Sequence, residues 1–154
     1  MYDDRLEITR EFATVRREGY IETIRNLVRF LEQRRFDEFA ELFDENAKWV
    51  HPYSSCLFPS EVVGRSRILQ AIQEAASNFD EIRFPIEEII PLHESNRVIM
   101  KHTGRLTMSN GTGLYVNDYL AIFSFDEEGS ITEWIEYYNP IIAAKAFGLM
   151  DKIR

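Results

Sequence analysis

YVNDYLAIFSFDEEGSITEWIEYYNP, residues 115–140, decides how this chain folds. Two runs rich in aromatic and β-branched residues flank DEEG (126–129), a turn signal, so strands are expected over 113–125 and 130–138. The second run ends at Asn139-Pro140. An asparagine supplies a helix N-cap and a proline suits the first helical turn, so a helix should begin here, with Gly148 placed to end it. Glu136 interrupts the apolar run formed by Trp134, Ile135, Tyr137 and Tyr138. A carboxylate is rarely buried without a partner, because losing water costs several kcal/mol or forces protonation. Glu136 therefore either faces solvent or belongs to an enclosed acid–base site.

Upstream, the period changes. Ile82, Phe84, Ile86, Ile90 and Leu92 alternate with polar residues or prolines, as do Val98, Met100, His102, Leu106 and Met108, with SNG (109–111) as the next turn. Before residue 79 the spacing is helical. Ile8, Phe12 and Val15 recur at helical intervals, and Ile21, Ile24, Val28 and Leu31 continue beyond Gly19. A shorter helix is expected around Phe36, Phe39, Leu42 and Phe43, and another over 65–78. Between them AKWVHPY (47–53) reads as a strand stopped by Pro52, and SSCLFPSEVVG (54–64) as an irregular loop. The order is α-α-β-α, then four antiparallel strands and a closing helix, which is an α+β arrangement. Such a sheet, curved over three helices, makes a cone with an apolar interior. Its last strand is apolar on both faces, so the outer face is expected to pair with a second subunit as a homodimer.

At 154 residues the chain is one domain, and 45% hydrophobic residues exclude a disordered chain. A formal charge of −8 argues against nucleic acid and acidic membranes as partners. No run approaches a membrane span, and the acidic MYDDRLEITRE is no signal peptide, so a cytoplasmic protein is expected. One cysteine, Cys56, cannot form an internal disulfide. No phosphate loop, dinucleotide fingerprint or G-x-S-x-G is present. His51, His93 and His102 lack metal-ligand spacing, so neither metal nor cofactor is expected.

FDEFAELFDENAKWVHPY, VVGRSRILQAI, YVNDYLAIFSFDEEGSI and EYYNP, in this order, resemble the nuclear transport factor 2-like cone fold, in its SnoaL-like and ketosteroid isomerase-like branch. The resemblance covers most of residues 20–148 and leaves residues 1–18 as an added N-terminal helix. It implies strand facing: Asn117, Tyr119, Ala121 and Phe123 inside on one strand, and Trp134, Glu136 and Tyr138 inside on the last. In ketosteroid isomerases an aspartate precedes the proline of the pattern matched here by His51-Pro52. Their oxyanion-hole tyrosine and acid fall opposite Leu27 and Ala121, so steroid isomerisation itself is not expected. Phenazine-biosynthesis A/B proteins look similar at Glu136, in the same E-aromatic-x-N context, but their histidine has no counterpart near Ser77-Asn78.

Glu136 is thus the leading candidate, a carboxyl whose pKa desolvation would raise toward neutrality. His51 is the second, since imidazole titrates nearest physiological pH. Tyr53, Asn117 and Tyr119 would orient a substrate, with Phe123, Trp134 and Tyr138 lining its pocket. His102 reads as a satisfied core histidine and His93 as a surface residue. Two classes fit: a cofactor-free acid–base enzyme (isomerase, cyclase or dehydratase) acting on a small, largely apolar carbonyl compound, or a non-catalytic small-molecule binder or scaffold subunit.

Overall fold

Alternation along the chain becomes a seven-stranded, strongly bent sheet closed over helices in a computed structural model describing residues 4–153, with side-chain surroundings from residue 13 onward. Helix α1 spans Asp4–Glu32, α2 Phe36–Glu41, α3 Arg65–Ala76 and α4 Pro140–Phe147. The strands are β1 Phe43–Val50, β2 Glu61–Val63, β3 Phe79–Arg83, β4 Ile86–Pro91, β5 Arg97–Met108, β6 Leu114–Phe125 and β7 Ile131–Tyr138. Their order is β2-β1-β7-β6-β5-β3, with β4 also paired to β5. Residues 4–18 and 19–32 form one continuous helix; residues 1–3 and the side chains of Ile8 and Phe12 lie outside the described residues.

Three details differ from the expectation. Phe43 opens β1 rather than closing a helix, because its ring and that of Phe39 pack together (centroids 5.0 Å apart) across the helix-to-strand turn. The pairing of β1 with β7 is parallel, so the sheet is mixed; the short β2 lies in the expected loop and pairs antiparallel with β1. The expected strand over residues 82–92 is two strands. Both pair with β5, β3 along its C-terminal half and β4 along its N-terminal half. Pro85 lies at the break, where its ring removes a ladder donor. Glu32, at the end of α1, takes up the adjacent Phe84 N–H (2.7 Å).

Gly104 lies on β5 opposite this break. A Cβ there would meet Tyr119 Cε2 at 2.7 Å and Leu106 Cδ1 at 3.0 Å. The Tyr119 ring thus occupies the space that any other side chain would need. The Arg34 guanidinium donates to the Ala76 carbonyl (3.2 Å) and to that of Phe79, fastening the α1–α2 turn to the α3–β3 corner.

Alternating burial along β5–β7 places Val98, Met100, His102, Leu106, Phe123, Trp134, Glu136 and Tyr138 on the concave side. Phe39, Phe43, Phe123 and Phe125 are fully buried beneath α1, and each contributes about 1.5–3 kcal/mol of burial. Helix α4 begins as expected: Asn139 Oδ1 accepts the Ile141 N–H (3.0 Å), Pro140 is in the first turn, and Gly148 closes it in the left-handed region (φ 65°).

Candidate active site

The concave face leaves a cavity of about 430 Å³ between the sheet, α1, α3 and α4. Its walls are mostly apolar: Leu27, Val28 and Leu31 from α1, Ile72 from α3, and Met100 and Leu106 from β5. Phe58 and Phe147, which also line it, pack edge to face (5.9 Å). Among the described residues, no lysine or arginine lines it.

Glu136 and His51 meet on one wall. The register pairs Trp49 with Trp134 and Val50 with Ile135, so the next rung brings His51 beside Glu136. His51 Nε2 stands 3.8 Å from Glu136 Oε1, and both residues are buried. The other ring nitrogen, Nδ1, lies 3.2 Å from the Pro59 carbonyl oxygen. A carbonyl can only accept, so Nδ1 carries the proton of the neutral ring and Nε2 turns its lone pair toward Glu136.

Burial sets both charge states. Desolvation pushes the Glu136 pKa from 4.5 up to about 8, so the carboxyl holds its proton at neutral pH. Desolvation lowers the His51 pKa below 6.5, opposed by the Pro59 hydrogen bond. The 3.8 Å contact is therefore not a standing ion pair; it joins a neutral acid to a neutral base, too far apart for a direct hydrogen bond.

Aromatic side chains surround this pair. Trp49 and Trp134 stack (4.8 Å, 15°), and His51 packs edge-on against Trp49. Tyr138 Oη and both indole nitrogens are buried without a hydrogen-bond partner among the described residues. Tyr119 Oη lies 2.9 Å from Tyr115 Oη, which accepts the Asn117 amide (2.8 Å). Desolvation raises the Tyr115, Tyr119 and Tyr138 pKa values, so these phenols stay protonated and can donate.

Trp134, Glu136, Tyr138, Tyr119 and His51 line the one cavity. Three expected companions do not. Tyr53 is exposed and packs against Tyr137 (5.3 Å) beyond the cavity, because Pro52 ends the alternation that would have carried it inward. Asn117 points inward but is spent on structure: its amide donates to the Asn139 carbonyl (3.0 Å) and its oxygen accepts the Asn139 N–H (3.2 Å). Phe123 stacks behind Trp134 (5.8 Å), one layer outside the cavity. His93 is exposed, as expected.

His102 corrects the reading as a satisfied core histidine. It is buried and lines the cavity, yet neither ring nitrogen has a hydrogen-bond partner among the described residues. Its inward parity with Met100 and Leu106 was the available signal. Tyr115 and Trp49 were also passed over; both share the inward parity of recognised neighbours.

The fold matches a known class. Residues 24–134 match the SnoaL-like domain, and the chain belongs to that family. The YesE protein of Bacillus subtilis strain 168, itself uncharacterized, is 26% identical over 130 residues, spanning 82% of this chain and 86% of its own. A Bacillus subtilis structure with a provisional isomerase assignment superposes with a TM-score of 0.80 at 23% identity, covering 87% of this chain and 96% of that one. A phenazine biosynthesis-related protein of Pseudomonas aeruginosa superposes with a TM-score of 0.77 at 20% identity, covering 90% and 91%. Both likenesses are of fold.

Proposed function

We propose that the chain is a cofactor-free acid–base enzyme that moves a proton on a small, largely apolar carbonyl compound. The observation carrying this reading is the neutral Glu136 carboxyl facing the His51 Nε2 lone pair in an apolar cavity. Its size lies within the usual range for small-ligand sites. The isomerase assignment of the Bacillus subtilis neighbour points the same way.

With the carbonyl oxygen at Glu136 and the adjacent C–H at His51, Nε2 takes the carbon-bound proton while the Glu136 acid protonates the oxygen. An enol results, and the protein holds a glutamate–imidazolium pair. Return of the imidazolium proton to a different carbon, and of the enol proton to Glu136, completes an isomerisation with both residues restored. Elimination or ring closure uses the same first step. Tyr119 or Tyr138 supplies a further donor to the oxygen, in place of the aliphatic Leu27 and Ala121.

The test is exchange of the α-protons of 2-tetralone in deuterium oxide, followed by mass spectrometry. Wild type should exceed Glu136→Gln by roughly 10²–10⁴ in rate, the span typical of one positioned acid–base group. Equal rates would reject the enzyme. The absence of donors at Leu27 and Ala121 favours the second reading, a non-catalytic binder in which Glu136 is a hydrogen-bonding contact. That reading predicts saturable binding of the ketone with no exchange.

A further inference from the structure

His102 sits at the far side of the same cavity from His51, and the reaction above gives it nothing to do. The register places Tyr138, Tyr119 and His102 on one rung, beside the rung of Glu136, Ala121 and Met100. Glu136 and His102 are thus two strand spacings apart across the sheet and two residues apart along it, about 12 Å at the backbone. The His102 ring stacks on Tyr119 (4.9 Å, 7°) and meets Phe84 edge-on (5.3 Å). These contacts fix its plane but satisfy neither nitrogen. A buried polar group left without a partner costs about 1–3 kcal/mol, and a bound ligand or water is its usual explanation.

We propose that His102 is the second polar anchor of the cavity, recognising an uncharged hydroxyl or carbonyl group on the substrate, opposite the carbonyl that meets Glu136. A neutral imidazole offers one donor and one acceptor, which matches a hydroxyl in either sense. It stays neutral here, since burial lowers its pKa to about 4 against weaker opposing effects of the Thr103 backbone and Glu87. With no lysine or arginine lining the cavity among the described residues, a carboxylate or phosphate would meet no compensating charge. The substrate class is therefore an uncharged compound with two oxygen functions at opposite ends, with an apolar frame long enough to bridge them. This rests on the acid–base reading for the first oxygen only; His102 recognition stands or falls by binding.

Naphthalene, 2-naphthol and 2-naphthoate separate the two questions, because none is a ketone and none requires turnover. Binding is read by calorimetry and by the ring-nitrogen resonances of ¹⁵N-histidine-labelled protein, with His102 assigned by comparison with His102→Phe. That variant keeps a stacking ring against Tyr119, and its folding is checked by circular dichroism; His102→Gln, which retains a donor and an acceptor, is the second variant. We expect 2-naphthol to bind roughly five- to tenfold more tightly than naphthalene, as one buried hydrogen bond provides. It should shift the His102 nitrogens, while 2-naphthoate binds more weakly than either. His102→Phe should abolish the naphthol preference and His102→Gln should restore part of it. Equal affinity for naphthol and naphthalene, or unmoved His102 nitrogens with naphthol bound, would overturn the proposal. Ketone exchange at Glu136 could still proceed, so the two failures remain distinct.

Discussion

His51 Nε2 lies 3.8 Å from Glu136 Oε1, and the Pro59 carbonyl at 3.2 Å from Nδ1 turns the unprotonated nitrogen toward that carboxyl. Activity then needs Glu136 protonated and His51 neutral. The pH profile of kcat/KM should be a plateau that falls above about 8, where Glu136 ionises, and again below the usual histidine range as His51 charges. A rate that instead rises through pH 8 would make the Glu136 carboxylate the base and reverse the two roles.

The same burial has a cost in stability. The folded pKa of Glu136 is raised above its ordinary 4.5, so the folded state holds this proton more tightly than the unfolded chain. That contribution is complete below pH 4.5 and is lost as pH rises toward about 8, a swing of order 4–5 kcal/mol. Glu136→Gln should therefore gain stability over wild type progressively across this window, as urea denaturation at pH 5 and pH 9 would measure. A difference independent of pH would mean that the carboxyl ionises normally.

Asn117 holds the start of α4 through two hydrogen bonds to the Asn139 backbone, and α4 covers one side of the cavity. Asn117→Ala strands the Asn139 N–H and should cost about 1–3 kcal/mol, while the Asn139 carbonyl keeps the Ala143 N–H (3.3 Å) and the Tyr115 hydroxyl keeps that of Tyr119 (2.9 Å). Hydrogen exchange should speed up first across Pro140–Phe147. Uniform acceleration over the whole chain would show that the clamp is not local.

The outer face of the sheet carries Leu120, which is exposed, and Ile122, Ile135 and Tyr137, which are half-buried. We propose that a second copy covers it. Sedimentation at micromolar concentration should give a dimer, and Ile135→Lys should give a folded monomer. A wild-type monomer would leave this face without that role.

Much of the site was legible because one-dimensional patterns carry it. Asn139, Pro140 and Gly148 mark their helix by local chemistry alone, and the structure places them as read. The facing of Glu136 followed from a two-residue period once the fold was recognised. Phe43 was misread because an apolar residue one turn after Phe39 suits helix and strand equally, and only tertiary packing decides. The alternation from Ile82 to Leu92 reads as one strand, whereas Pro85 divides it into two. Asn117 and Phe123 had the right parity, but parity does not reveal whether an inward side chain reaches a cavity or stops at a neighbour. His102 was the converse, placed inward for packing although neither ring nitrogen makes a hydrogen bond among the described residues.

The central claim is that Glu136 is a neutral acid at physiological pH, and its titration tests this most directly. Carbon-13 labelling of glutamate side chains, with the Glu136 resonance assigned by its loss in Glu136→Gln, follows the carboxyl carbon from pH 4 to 10. A midpoint near 8 is predicted, well above the ordinary 4.5. A midpoint between 4 and 5 would contradict the account, leaving an ordinary carboxylate where a proton donor is required.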